Sequence, residues 1–422
     1  MTGTHRMRGL AAFAVWTVLA LPAGAATINV PGNQPTVQAA INAAVAGDVV
    51  VVAPGLYKEN INFAGKAITV KSAAGPAVTI LDGQQLGSVV TFATGEGRSS
   101  VLRGFTLRNG RVSSTSGGGI RIQGTSPTII NNIVTGNQGC SSGPGIHVQG
   151  GAPLISANTI SSNSVQAGCT GQSGGGINVS GAGSAEITNN TITGNTASFG
   201  GGVAFNAAGT PTLSNNKISG NTATSSGGGI SLSNASNVLI RQNLIVENTA
   251  PRGAGIDWLV PSGARGPRLV NNTIAANHAS ASPFVSGIYA DGFDGQVELV
   301  NNIIYAKAGM IALSCGASIG ASSVPVLRNN DVQNAFNSGS VSPYAGSCTD
   351  QTGVNGNAKV DPQFNSSVPY TLLSTSPLRD LGDPAETDVL LTDFSNGKRL
   401  FDGNQDGTVR IDIGADEFEL VP

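Results

Sequence analysis

The side chains best suited to chemistry in this chain are few, and they recur at a fixed offset from a glycine-rich turn. They are Arg121, His147, Asn178, Ala204, Ser231, Asp257 and Tyr289. On a strand, the residue between two inward ones points outward, so this line forms an outer column. A charge, an imidazole, an amide, a hydroxyl, a carboxyl and a phenol in one line suit an extended sugar polymer. Arg121, His147, Asn178, Ser231, Asp257 and Tyr289 are the expected carbohydrate-binding residues, and a plain solvated strand face is the competing reading. Trp258, one step past Asp257, should face inward.

Hydrolysis of glycosides needs two carboxyls, roughly 5–5.5 Å apart for retention or 6.5–9.5 Å for inversion. Between Val101 and Val300 the acids are Glu186, Glu247, Asp257, Asp291, Asp294 and Glu298. By alignment of the repeats, Asp291 lies one coil on from Asp257 and two residues along, about 8 Å on strand spacings. Asp257 and Asp291 are the expected catalytic pair, with inverting geometry. Glu298 falls opposite Arg268 and reads as half of a surface ion pair. A serine nucleophile motif is absent.

Near the end of the chain, Asp402-Gly403-Asn404-Gln405-Asp406-Gly407 places oxygen ligands at alternate positions with glycine sixth, like the first half of a calcium loop. Ile413 stands twelfth, where a bidentate Glu would serve, and Asp412 falls one place early. The expectation is Ca2+ on Asp402, Asn404, Asp406 and Asp412, set against an ordinary Asp/Gly turn. A zinc site is not expected, since there is no C-x-x-C and only His147 and His278 follow the first 26 residues.

The elements that must hold these groups repeat. An asparagine, a variable residue and an apolar residue recur from Asn132 through Asn158, Asn190, Asn216, Asn243, Asn272, Asn302 and Asn330, at intervals of 26 to 32 residues. Such a period marks a solenoid whose units cannot bury their apolar faces alone. Each repeat from Val101 to about Val332 has three pieces: a glycine triplet with an apolar residue, a piece often opened by proline, and the asparagine phrase. The runs are short, β-branched and bounded by Gly, Asn, Pro and Ser, which predicts strands. Three strands per repeat describe an all-β, single-stranded parallel β-helix. Its asparagines, with a second set at Asn137, Asn163, Asn195, Asn221, Asn248 and Asn277, should form two ladders at left-handed turns. Pro35 to Ala46 has helical apolar spacing and should cap the open end. The expected organisation is a leader at 1–26, a cap with first coils at 27–100, coils at 101–335 and a closing region at 336–422.

Charged residues make up only 11% of the chain and the net charge is −2, which argues against nucleic acid as a partner. His5, Arg6 and Arg8, the apolar run Leu10 to Leu21, and Ala23-Gly24-Ala25-Ala26 read as a secretory signal peptide cleaved near Ala25 or Ala26. The apolar run is short for a membrane span. A secreted or periplasmic monomer is expected. Four cysteines fit that compartment and allow three pairings, of which stacking of neighbouring loops favours Cys140 with Cys169 and proximity favours Cys315 with Cys348.

These phrases resemble the right-handed parallel β-helix superfamily that includes pectate lyases. The opening Val37-Gln38-Ala39-Ala40-Ile41, Gly47-Asp48-Val49-Val50 and Ala53-Pro54-Gly55-Leu56-Tyr57 looks like its amino-terminal cap. Asp361-Pro362-Gln363-Phe364, Ser376-Pro377-Leu378 and Asp412-Ile413-Gly414-Ala415-Asp416-Glu417-Phe418 resemble bacterial choice-of-anchor Q proteins, although no anchor-like stretch follows Phe418. The resemblance implies a right-handed coil and a polysaccharide partner. Lyases of this fold are similar in clustering acidic calcium ligands near a basic proton abstractor. Here Arg121 and His147 lie four or more coils from Asp257, on the order of 20 Å, and no such constellation is visible. Binding of an extended extracellular polysaccharide is therefore expected. The alternatives are a polysaccharide lyase or glycoside hydrolase, and a surface adhesin or structural spacer.

Overall fold

From Thr27 the chain winds into coils in which each short strand lies beside its counterpart from the coil before. The computed structural model describes residues 24–418, save 207, 235–236, 262–265, 293–296, 317–323 and 336–340. The predicted leader falls outside the described residues apart from 24–26. In one middle coil the strands are Ile146–Gly151, Leu154–Ser156, Thr159–Ser161 and Ser164–Val165. They belong in that order to four sheets, here sheets 1 to 4, which hold 11, 12, 11 and 7 strands among the described residues. Every pairing between named strands is parallel, as a β-helix requires.

The aliphatic columns stack as the repeat predicts. Ile160, Ile192, Ile218 and Ile245 pair in direct register in sheet 3, and all are fully buried. Ile129, Ile155, Ile187, Leu213 and Ile240 do the same in sheet 2. Neighbouring strands sit about 4.8 Å apart, so each side chain is sandwiched between its counterparts. Burial of each contributes roughly 1.5–3 kcal/mol. Trp258 faces inward and is fully buried, stacked between Leu232 and Ala290.

Sheet 4 is the departure from the expected three strands per repeat. Its inward residues include Gly139, Ala197, Ala223, Ala250 and Ala279. These are too small to leave an apolar signature in the sequence.

The corners are asparagine ladders. Asn195 is typical: its Oδ1 accepts from the backbone N and Nδ2 of Asn163 (both 3.0 Å), and its Nδ2 donates to Asn221 Oδ1 (3.0 Å) and Ile160 O (2.9 Å). The first ladder runs on to Asn357, one coil past Asn330. The left-handed residue is not the ladder asparagine but the one before it: Asn131, Asn189, Asn215, Asn271, Asn301 and Asn329 all have φ between 50° and 58°. The ladder asparagine can then turn inward, where it is buried.

The third glycine of each triplet faces the second ladder. A Cβ on Gly202 would meet Gly229 O at 2.7 Å, Ile218 Cγ2 at 2.8 Å and Asn221 Nδ2 at 3.0 Å, so no side chain fits. Both preferred disulfides, Cys140–Cys169 and Cys315–Cys348, are formed.

A helix, Val37–Ala43, closes the first coil with Val37, Ala40 and Ile41 buried. It is shorter than its apolar spacing suggests. The Glu59 carboxylate accepts from Val37 N and Gln38 N at its start, and Lys66 Nζ donates to three carbonyls at its end.

The closing region does more than cap the other end. Residues 358–418 run back as a strap over the outer face of sheet 3. Leu372, Leu378 and Ile413 pack on Ile303, while Tyr370 and Phe394 reach the cluster of Leu244, Val246 and Ala275. Gly414 N donates to Asn301 O (2.8 Å) and Ala415 N to Thr273 Oγ1 (3.0 Å).

Two substitutions test this account by urea or thermal unfolding. Asn195→Ala removes the side-chain partner of Asn163 N and of Ile160 O on the coil before and the amide link to Asn221 on the coil after, and should cost about 3 kcal/mol. Gly202→Ala should cost about 2–3 kcal/mol, because the obstructing atoms are a backbone carbonyl and two fully buried side chains held in their stacks, none free to swing aside.

Candidate functional site: a groove over sheet 1

The outer column of sheet 1 is in register as expected: Arg121 pairs with His147, then Asn178, Ala204, Ser231, Asp257 and Tyr289 in succession. It is not, however, a solvated face. His147, Asn178, Ser231, Asp257 and Tyr289 are all at least nine-tenths buried, and Arg121 alone is half-exposed. The connections from sheet 4 back to sheet 1 cause this. Each ends in a glycine pressed against the column: a Cβ on Gly174, Gly200 or Gly227 would lie 2.7, 2.9 or 2.8 Å from the Cβ of Asn178, Ala204 or Ser231. The connections thus wall one side of sheet 1 and turn its outer face into a groove.

The column's polar groups bond along its length. Asn178 Nδ2 lies 3.0 Å from His147 Nδ1. Burial, with Arg121 close by, pushes His147 down to about 4, so its ring is neutral at ordinary pH. Asp257 is held on both oxygens: Ser226 Oγ donates to Oδ1 (2.9 Å) and Arg252 Nε to Oδ2 (2.8 Å). Burial raises the Asp257 carboxyl against the pull of Arg252, and Asp291 adds to the rise. The Arg252 guanidinium lies 4.1 Å from the centre of the Tyr289 ring, a cation–π contact. Phe199 and Ser226 close strands of sheet 4, and Ser173, Phe199, Ser226 and Arg252 lie side by side, each just before the first glycine of a triplet. Sequence reasoning missed them because the position recurs while the residue type changes from coil to coil.

The expected catalytic pair is not presented for hydrolysis. Asp291 takes its predicted place, beside Leu259 and two residues on from the partner of Asp257. It is fully buried, accepts from the Tyr289 hydroxyl (3.3 Å), and lies under Gly316, whose Cβ would sit 2.7 Å from the carboxyl carbon. An inverting pair needs room for water between its carboxyls, and Asp291 has no open side.

The floor of the groove opens into a cavity of about 270 Å³, lined by Phe199, Asn206, Ser226, Ser231, Ser233 and Asp257 among others. An aromatic ring here faces hydroxyls, an amide and a carboxyl. That combination can take the apolar face and the hydroxyls of a sugar.

Three of the expected calcium ligands, Asp402, Asn404 and Asp406, share one turn. Asp402 accepts from Asp406 N and Gly407 N, Asn404 from Asp406 N, and Asp406 from Thr408 N, which is an Asp/Gly turn closed on itself. Asp412 instead joins Asp380 and Glu417, whose carboxylate oxygens lie within 4.8 Å of one another. Arg399, fully buried and 3.6 Å from Glu417, supplies that cluster with positive charge. The expected Arg268–Glu298 pair is present at 2.9 Å, joined by Glu386 of the strap at 2.7 Å.

Residues 118–304 match the family model described as a right handed beta helix region. The chain is accordingly a right-handed parallel β-helix, with its sheets stacked coil on coil. Two solved structures are similar. Pectate lyase Pel9A is 16% identical with a TM-score of 0.46, over 94% of this chain and 97% of that one. XylC in complex with xylose is 12% identical with a TM-score of 0.47, over 88% and 65%. Neither likeness bears on the chemistry of the groove. Comparison with curated proteins gives no match.

The strap should respond to pH. Burial pushes Asp331, on the sheet 3 strand beneath the strap and accepting from Val360 N, up to about 7, and within the strap it pushes Asp412 and Asp416 up to about 6 and Glu417 up to about 10 despite Arg399 beside it. Each folded value lies above that of a free carboxyl, near 4, so the docked strap holds more protons than the unfolded chain. Its stability is therefore full below about pH 4 and is lost as pH rises through these values. Hydrogen exchange, corrected for its intrinsic pH dependence, should show 358–418 opening more readily at about pH 9 than at about pH 5, ahead of the coils.

Proposed function

We propose that the protein binds an extended extracellular polysaccharide along the groove over sheet 1, with the cavity beside Phe199 seating one unit. The observation that carries this reading is the cavity's lining, to which sheet 4 contributes Phe199 beside Ser226, and sheet 1 contributes Asn206, Ser231 and Asp257. Sugars offer an apolar face and a rim of hydroxyls, and this lining answers both. The groove follows the coil axis, so a linear polymer can extend past the cavity over the coils bearing His147 and Asn178. Two disulfides accord with an oxidising, extracytoplasmic compartment.

Binding is favoured over hydrolysis because Asp257 is committed to Arg252 and Ser226, and Asp291 is sealed beneath Gly316. An acid held by a guanidinium orients its partner better than it delivers a proton.

Affinity electrophoresis through a panel of neutral and acidic polysaccharides tests the proposal. At least one should retard the protein, and Phe199→Ala should weaken that retardation by about tenfold, the worth of a ring contact of 1–1.5 kcal/mol. Ser231→Leu, which fills the cavity, should abolish it. Retardation by none, or an unchanged response in both variants with the fold intact, would refute the reading.

A further inference from the structure

A second cavity lies on another face, between the strap and sheet 3. Its volume is about 270 Å³. Leu244 and Val246 form an apolar floor, Tyr370 and Phe394 stand on the strap side, and Glu247, Asp416 and Lys217 bring charge to its walls. Sites for drug-sized ligands run from about 300 to 1,000 Å³, so this one suits a single small ring.

Two features mark it as more than a packing gap. Asp416 Oδ1 is buried and lacks a hydrogen-bond partner among the described residues. A buried acceptor without a donor is costly, and a ligand donor would relieve it. Glu247 holds the left-handed corner, φ 59°, that other coils fill with Gly136, Ser162, Gly194, Gly220 and Ala276, so of these it alone brings a charged side chain there. The Glu247 carboxylate leans over the cavity and accepts from the Tyr370 hydroxyl at 2.7 Å.

The chemistry selects the ligand. Two acids call for donors, while Lys217 at the mouth calls for an acceptor and repels a cation. The aliphatic floor and aromatic walls call for an apolar face. We propose that this cavity binds one saccharide unit, its hydroxyls donating to Glu247 and Asp416 and accepting from Lys217. A shallower cavity continues past Lys217 and Phe394 over Asn189, Asn215 and Asn396, where a following unit would lie. The site is separate from the groove and does not rest on that reading.

Titration of the full chain with glucose, galactose, mannose, xylose and N-acetylglucosamine, followed by saturation-transfer NMR, tests it. At least one should bind saturably. Asp416→Asn and Glu247→Gln should each weaken binding by about tenfold, as expected when a charged acceptor becomes neutral. Lys217→Ala, at an exposed position, should weaken it with no change in melting temperature. Phe199→Ala should leave it unchanged. Absence of saturable binding, or binding indifferent to both Lys217→Ala and Asp416→Asn, would overturn the proposal even if polysaccharide retention in the groove persists. Loss of that retention with saccharide binding intact would leave this site standing.

Discussion

The asparagine amide at each corner is the contact on which the solenoid depends. A parallel coil must turn sharply between strands, and every turn exposes amides and carbonyls that water cannot reach once coils are stacked. A side-chain amide offers an acceptor and two donors in one plane. Asn195 uses them on the coil before and the coil after, so the corner is satisfied only when the neighbours are in place. The aliphatic columns supply more free energy but little direction, since leucine and isoleucine tolerate sliding. The ladders hold the register in which those columns meet. The third glycine of the triplet is a consequence, because the second ladder leaves no room for a side chain opposite it.

That arrangement explains why columns were legible in the sequence and their surroundings were not. A residue such as Ile192 or Asn190 is read together with its counterparts, and its role follows from the period. The outward order from Arg121 to Tyr289 was legible for the same reason. Its burial was not, because the position that walls the column recurs but holds Ser173, Phe199, Ser226 and Arg252 in turn, with no common residue type to read. Sheet 4 escaped for the opposite reason: it repeats, but after Val112 and Val165 most of its inward residues are glycine and alanine, whose burial leaves little trace.

The strap shows a further limit. Tyr370 meets Glu247 across 123 positions, and no periodicity links them. One sign was present on the scaffold side. Thr191-Ile192-Thr193 has hydroxyls on its outer face, whereas Leu244-Ile245-Val246 and Ile303-Ile304-Tyr305 are apolar on both faces. A strand apolar on both faces is covered on both, so those coils needed a cover. The acidic residues at the end show the same limit. Spacing within Asp402 to Asp412 suggests one loop, but Asp412 is turned toward Asp380, 32 residues earlier in the chain.

Both cavities occur where something irregular is laid against the regular scaffold. Along uninterrupted coils the outer surface is flat, since each residue sits level with its counterpart, and a flat sheet encloses no ligand. Over sheet 1 the irregular element is the set of connections from sheet 4, and over sheet 3 it is the strap. Each brings an aromatic side chain, Phe199 in one case and Tyr370 with Phe394 in the other, across from polar groups fixed on a strand or corner. The scaffold supplies rigid positions about 4.8 Å apart, and the additions supply walls. On the proposed readings, recognition would rest on residues outside the ladders, which lets the sheet 4 ends and the strap vary without disturbing the contacts that hold the coils together.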